Sequence, residues 1–256
     1  MNRFMSYMKK EMIMAMVLAV AGIIIMCAIE LRIAGNTAVT HNIEIWIEAA
    51  SFLDFFFPMF VSLPFVWKLY FERKDGFIKY VSMRTDCRKY MAVKMLAGMS
   101  SVFVMVFAIY YAGLIFAEIF VEPKAIAQDE ILGRYLWGKM QMEAPLMFGA
   151  FWCAWKGLVG SVICLFGYFV ALLSENIFII SLLPFLYCML ENFVTGTIGY
   201  ERYSIYTSFV LNRLSPDAMR VHNYYAGVII FVAVTGAIML VWAFKKKQVD
   251  YREEHY

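Results

Sequence analysis

Long apolar blocks alternate with short charged ones along this chain. Apolar residues dominate roughly 12–33, 47–70, 93–121, 147–173, 177–195 and 223–244. Each block approaches or exceeds the about 20 residues a helix needs to cross a hydrocarbon core. The pattern predicts an all-α polytopic membrane protein with six transmembrane helices in a single domain, 1–256. Blocks four and five are separated only by Ser174, Glu175 and Asn176, which predicts a tight antiparallel hairpin. Ahead of the first block, Met1, Phe4, Met5, Met8 and Met12 recur at helical spacing with Arg3, Lys9 and Lys10 between them. Segment 1–11 is either an amphipathic helix lying in the headgroup plane or a frayed basic terminus. Pro58 and Pro64 remove backbone donors from the second block and predict a bend there.

Composition strengthens the membrane reading. Of 256 residues 62% are hydrophobic and 17% charged, whereas a soluble domain averages about 45–50% apolar and about 25% charged. The first block lacks a small-residue cleavage site and is expected to be a retained helix. The longest polar loop has about two dozen residues, too few for a nucleotide-binding fold.

The net charge of +3 says little, but its placement is informative. Lys68, Arg73, Lys74, Lys79, Arg84, Arg88, Lys89 and Lys94 cluster between the second and third blocks. The C-terminal segment adds Lys245, Lys246, Lys247 and Arg252, and the N-terminal segment Arg3, Lys9 and Lys10. With six spans all three groups fall on one side, where the excess of Lys and Arg marks the cytoplasm. The other side carries Glu44, Glu122, Asp129, Glu130, Glu143 and Glu201. Both termini are therefore expected in the cytoplasm of a multi-pass plasma-membrane protein.

The cysteines Cys27, Cys87, Cys153, Cys164 and Cys188 have no C-x-x-C spacing, and read as thiols packed like small hydrophobes. His41, His222 and His255 are far apart in sequence. No metal site, catalytic group or nucleic-acid partner is expected. "GRYLWGKM" (133–140) nearly matches the phosphate-binding loop G-x-x-x-x-G-K-[ST], with Met140 in place of the magnesium-binding hydroxyl. Bulky residues fill the turn, "QDEIL" precedes it, and the expected side is the outer one. It is better read as outer loop carrying the interfacial aromatics Tyr135 and Trp137.

The stretch "FERKDGFIKYVSMRTDCRKYMAVKML" (71–96) holds Phe77, Ile78 and Val81 at helical spacing, flanked by charge. A short surface helix is expected, with Phe77, Tyr80 and Met83 as anchors for a soluble partner. The alternative is a basic loop that only enforces topology. Here the chain resembles the permease subunits of the ABC-2 type exporter family. The resemblance lies in Glu72, Gly76, the helix around 76–83, Thr85 with Arg88, and Lys94 before "MLAG". The turn lacks the family's frequent Pro. The layout is also similar: an interfacial N-terminal helix, six spans, a tight four–five connection, a long outer segment before span six and a short basic tail.

That resemblance implies a permease without ATPase activity of its own, paired with a cytoplasmic ATP-binding cassette subunit that holds ATP and Mg. It implies a second permease copy or a homologous permease, embedded in membrane lipids. Segment 71–92 would be the coupling helix, with Glu72, Gly76, Phe77, Tyr80, Met83 and Arg88 at the ATPase. Segment 196–222 would hold short outer helices capping the transport path. Read from the residues alone, "YERYSIYTSFVLNRL", with Arg202 and Arg213, is either such an interfacial segment or an ordinary exposed loop.

Ionisable groups deep in a span are costly and face protein or water. Asp54 and Lys156 fall at similar depth, roughly 10–14 Å from the outer ends of their helices at 1.5 Å per residue. They are expected to pair, either to fix the packing of spans two and four or to line a path; the remaining alternative is that Lys156 snorkels outward. Glu118 and Glu191 sit nearer the outer ends. Nineteen methionines and "FLDFFFPMF" give adaptable apolar walls suited to an amphipathic or lipophilic substrate. The leading expectation is an exporter permease for amphipathic peptides, antimicrobials or lipophilic molecules. The alternatives are an ion-coupled secondary transporter and a polytopic membrane enzyme.

Overall fold

The computed structural model describes the backbone of residues 2–83, 87–122, 125–126 and 134–253, and side chains over 11–78, 80–81, 83, 88–122 and 134–240. Arg84, Thr85, Asp129, Glu130 and Gly133 lie outside the described residues. So do the side chains of Met1, Arg3, Phe4, Met5, Met8, Lys9, Lys10, Lys79, Cys87, Lys245, Lys246, Lys247 and Arg252.

The described residues are helical almost throughout. α1 spans Asn2–Ala34, α2 Asn42–Phe55, α3 Phe57–Lys74, α4 Phe77–Ser82 and α5 Cys87–Phe120. α6 spans Gly138–Glu143, α7 Pro145–Leu173, α8 Ile177–Ile198, α9 Ile205–Phe209 and α10 Val221–Glu253. The two-residue strands β1 (Ala38–Val39) and β2 (Ala125–Ile126) pair in parallel, Ala38 opposite Ala125.

Five helical stretches are long and apolar enough to cross a membrane: Glu11–Ala34, Arg88–Phe120, Pro145–Leu173, Ile177–Ile198 and Val221–Leu240. The pair α2–α3 makes a sixth if its two halves, bent by 49°, count as one span. The bend sits at Phe56, and Pro58 follows within the first turn of α3. Proline fits that position because the first N–H groups of a helix have no intrahelical acceptor. Pro64 is carried inside α3. The helix that begins at Asn2 continues into the first apolar block without a break, so α1 joins the two. No proline interrupts "NRFMSYMKKEM", and Lys, Glu and Met are strong helix formers.

α7 is the most buried of the long apolar helices, and it packs against α5, α3, α10, α8 and α6. α1 lies against α5, and α3 also against α8. Small residues on α7 bring its neighbours close. A Cβ at Gly157 would lie 2.9 Å from the Phe103 ring, and one at Gly167 2.8 Å from Val66. Such close approach through small residues is how helices associate where lipid tails are as apolar as the side chains. By contrast α8 shows Phe178, Leu190, Phe193 and Ile198 outward, and α10 shows Ile229 and Leu240. These are faces for a hydrocarbon environment.

One end of the bundle carries α4, the α7–α8 connection and the cations Lys68, Arg73, Lys74, Arg88, Lys89 and Lys94; we call it the basic end. The other, the capped end, carries β1, β2, α6, α9 and the single turns at 201–203, 211–213 and 216–218. Segment 199–220 is not an ordinary exposed loop. It buries Ile205, Phe209, Val210 and Leu211 in the bundle end. Arg213 Nε donates to Asn192 Oδ1 at 3.0 Å, and Tyr224 Oη donates to the Leu211 carbonyl at 2.8 Å. Ser204 Oγ caps α9 by accepting from the Tyr206 N–H and donates to Glu191 Oε2.

Gly227 of α10 makes this closure possible. A Cβ there would meet the Ser204 carbonyl oxygen at 2.1 Å and its carbon at 2.4 Å, both backbone atoms that cannot swing aside. Gly227→Ala is expected to cost about 1–3 kcal/mol, as overpacking does. Gly236→Ala, on the same helix with open space around its Cβ, should be neutral or stabilising. Unfolding of the purified protein in mixed detergent micelles checks the pair, and equal effects would refute the contact.

Candidate functional site

Two groups of residues carry chemistry, one at the basic end and one in the interior. At the basic end α3 closes with Arg73 and Lys74 in its last turn. Gly76 then turns the chain at φ +70, a left-handed conformation that favours glycine. Nothing lies within 4 Å of its missing Cβ, so the backbone and not crowding sets the requirement. α4 follows with two faces. Ile78 and Val81 pack on the core. Phe77, Tyr80 and Met83 point away, at 44%, 69% and 81% exposure.

Beneath α4 lies a lattice of opposite charges. Glu72 Oε2 accepts from Lys94 Nζ and, at 3.0 Å, from Tyr90 Oη. Lys68 Nζ pairs with Glu11. Glu11 and Lys94 are both 1% exposed, so these links tie α1, α3 and α5 beneath the surface. Arg73 Nη1 donates to the carbonyls of Ala171 and Ser174, the latter at 3.2 Å. It thereby satisfies orphan acceptors at the end of α7. Arg88 is exposed in the first turn of α5. The structure thus gathers Glu72, Gly76, Phe77, Tyr80, Met83 and Arg88 at one end of the bundle.

In the interior, Lys156 of α7 donates to both oxygens of Asp54, at 2.6 and 2.8 Å. Asp54 is the penultimate residue of α2, just before the break at Phe56. Tyr110 Oη of α5 donates to Asp54 Oδ1 at 2.6 Å. Lys156 Nζ lies 3.8 Å from the centroid of the Tyr110 ring, a cation–π contact. The Trp46 indole N–H fixes the Tyr110 backbone by donating to its carbonyl at 2.8 Å. Phe57 stacks on Phe209 of α9 at 4.6 Å between centroids and closes one side. Asp54 and Lys156 are each 1% exposed, so the pair is sealed in this conformation.

Sequence reasoning did not find several of these residues. Tyr110 completes the interior centre, and its only sequence signal is a phenol within an apolar block. Glu11 was hidden among the charges preceding the first apolar block. Glu30 of α1 is fully buried beside Gly113 and Met26, and neither carboxyl oxygen has a hydrogen-bond partner among the described residues. Glu118 and Glu191 are half-buried near the capped end.

Among the described residues no three His, Cys, Asp or Glu side chains converge as a metal would require. Cys27, Cys153, Cys164 and Cys188 are free thiols, and the last three are buried. Lys139 and Met140 of the "GRYLWGKM" stretch open α6, after Trp137 in a left-handed conformation.

Removing one member of the interior pair should cost about 3–5 kcal/mol, because the other charge is stranded in a dry site. Lys156→Met and Asp54→Asn are each expected to lose that much in detergent unfolding titrations. The double variant should recover at least half of the summed loss. Additive losses would show that the two side chains do not interact. Compared with known proteins, the chain matches no family model, no curated protein and no solved structure.

Proposed function

We propose that this chain is the membrane-spanning permease subunit of an ABC-2 type exporter, driven by a separate cytoplasmic ATPase subunit that binds ATP and Mg. The observation that carries the reading is the division of α4. Its inner face holds Ile78 and Val81 against the bundle, while Phe77, Tyr80 and Met83 are exposed. Exposed aromatics and methionine on one face of a short helix have the composition of an interface anchor. The resemblance through Glu72, Gly76 and Lys94 supplies the partner. In this reading α2–α3 forms one bent span, giving six, with the basic end and both termini in the cytoplasm of a bacterial plasma membrane. A second copy or a homologous permease completes the path. The Met- and Phe-rich walls favour an amphipathic peptide, an antimicrobial or another lipophilic cargo.

A second reading rests on the interior centre. An Asp–Lys pair with a tyrosine beside a helix break has the parts of an ion-coupled secondary transporter. Under that reading export survives ATP depletion and collapses with the proton gradient; under the first it does the opposite.

The decisive experiment asks whether an ATP-binding cassette protein is encoded beside this chain and co-expresses the two. The chain alone should hydrolyse no ATP, and the pair should co-purify. Tyr80→Asp and Met83→Asp change exposed side chains, so the fold should persist. Each should weaken co-purification about 30-fold, the equivalent of an interface anchor worth about 2 kcal/mol. Gly76→Arg, which forces a side chain onto a left-handed backbone, should act similarly. Undiminished co-purification and export in all three variants would overturn the docking assignment.

A further inference from the structure

The near-match to a phosphate loop forms part of an unassigned cavity. Trp137, Gly138, Lys139 and Met140 together with Phe151 of α7 line a trough of about 590 Å³ at the capped end, within the size range of small-molecule sites. We infer that this trough holds one anionic phospholipid, its acyl chain against Trp137, Met140 and Phe151 and its phosphate on Lys139.

The first argument is the axial order of the lining. α7 begins at Pro145, and Phe151 lies six residues further in, about 9 Å down the helix at 1.5 Å per residue. Lys139 therefore sits toward the bundle end beside Trp137 and Met140, and Phe151 extends the apolar lining inward from it. Phe151 is 53% exposed and its neighbour Met147 58%, so the trough opens on a face suited to hydrocarbon. A phospholipid has the same order, charge outermost and chain inward. A free phosphate would not use the apolar depth, and a zwitterionic headgroup would bring its own cation against Lys139.

The second argument is the backbone. Trp137 is the only described non-glycine residue at positive φ, 52° with ψ 40°. That region is costly for a bulky side chain and persists where surrounding structure enforces it. The conformation sets the indole edge-on against buried Phe148, 6.3 Å between centroids, and makes it a wall of the trough. Tryptophan is also the residue that favours the headgroup level of a bilayer. Lys139 is exposed and makes no salt bridge to a described carboxylate, so its ammonium is available to a headgroup.

The inference needs no ATPase and stands apart from the exporter reading. Its test is native mass spectrometry of delipidated full-length protein, titrated with phosphatidylglycerol or with phosphatidylcholine of the same chains. The wild type should retain one phosphatidylglycerol at about fivefold lower concentration than phosphatidylcholine, the preference one basic residue gives. Lys139→Gln should abolish that preference. Trp137→Gly should lose the bound lipid while thermal unfolding stays unchanged or rises, since glycine accepts the left-handed backbone. Inorganic phosphate should not displace the lipid. Retained preference in Lys139→Gln, retained lipid in Trp137→Gly, or displacement by phosphate would each overturn the assignment.

Discussion

The burial of Lys156 is the constraint on which the remainder of the bundle depends. An ammonium at 1% exposure in α7 is several kcal/mol unfavourable without a partner. α2 must therefore deliver Asp54 to it, and α5 must deliver Tyr110 to the same carboxylate. The indole of Trp46 then ties α2 to the Tyr110 carbonyl. Hydrocarbon surroundings give little drive for helices to find each other, because a neighbouring helix is no more apolar than a lipid tail. A polar cluster that can be satisfied in only one arrangement supplies the selection that hydrophobicity cannot.

Close packing completes what the polar centre selects. Gly149, Gly157, Gly160 and Gly167 run the length of α7 and admit Leu114, Phe103, Phe57 and Val66 at contact distance. Gly160 faces Phe57 and Val61 of α3, just beyond the break that follows Asp54. The 49° bend thus has a purpose in packing. It lets α2 end at the ion pair while α3 leaves in a direction that still lies on α7. α8 packs on α3 and α7, α10 on α9 and α7, and both keep broad apolar faces outward.

How legible each part was depended on whether its cause was local. The fourth apolar block, 147–173, corresponds to α7 at Pro145–Leu173, and Ser174–Asn176 is the connector. Both follow from hydropathy. The break ahead of Pro58 was readable because proline's fit to a first helical turn is a property of one residue. The burial of Glu11 was not, because it depends on Lys68, a partner distant in sequence. Asp54 and Lys156 stand out against an apolar background, so their meeting could be expected. Tyr110 is one of 16 tyrosines and does not stand out. The closure of 199–220 rests on Gly227 admitting the Ser204 backbone, and no property of "YERYSIYTSFVLNRL" announces that.

The basic end and the interior centre are joined by two covalent routes. α4 hangs from the end of α3 through Gly76 and is followed by α5. α3 begins beside Asp54, and α5 carries Tyr110. The Glu72–Lys94 and Lys68–Glu11 links bind these helices and α1 into one rigid floor. Arg73 fastens the same floor to the end of α7, whose interior bears Lys156. A displacement of α4 would therefore reach three of the elements that build the centre. Continuity alone does not make coupling, which needs an element with two arrangements that both sites bias. The 49° break at Phe56 is where such an element would have to lie. Phe56 is the only residue between α2 and α3, so a change in its backbone angles would swing α3 against α7 and leave the Asp54–Lys156 pair in α2 and α7 as the fixed pivot.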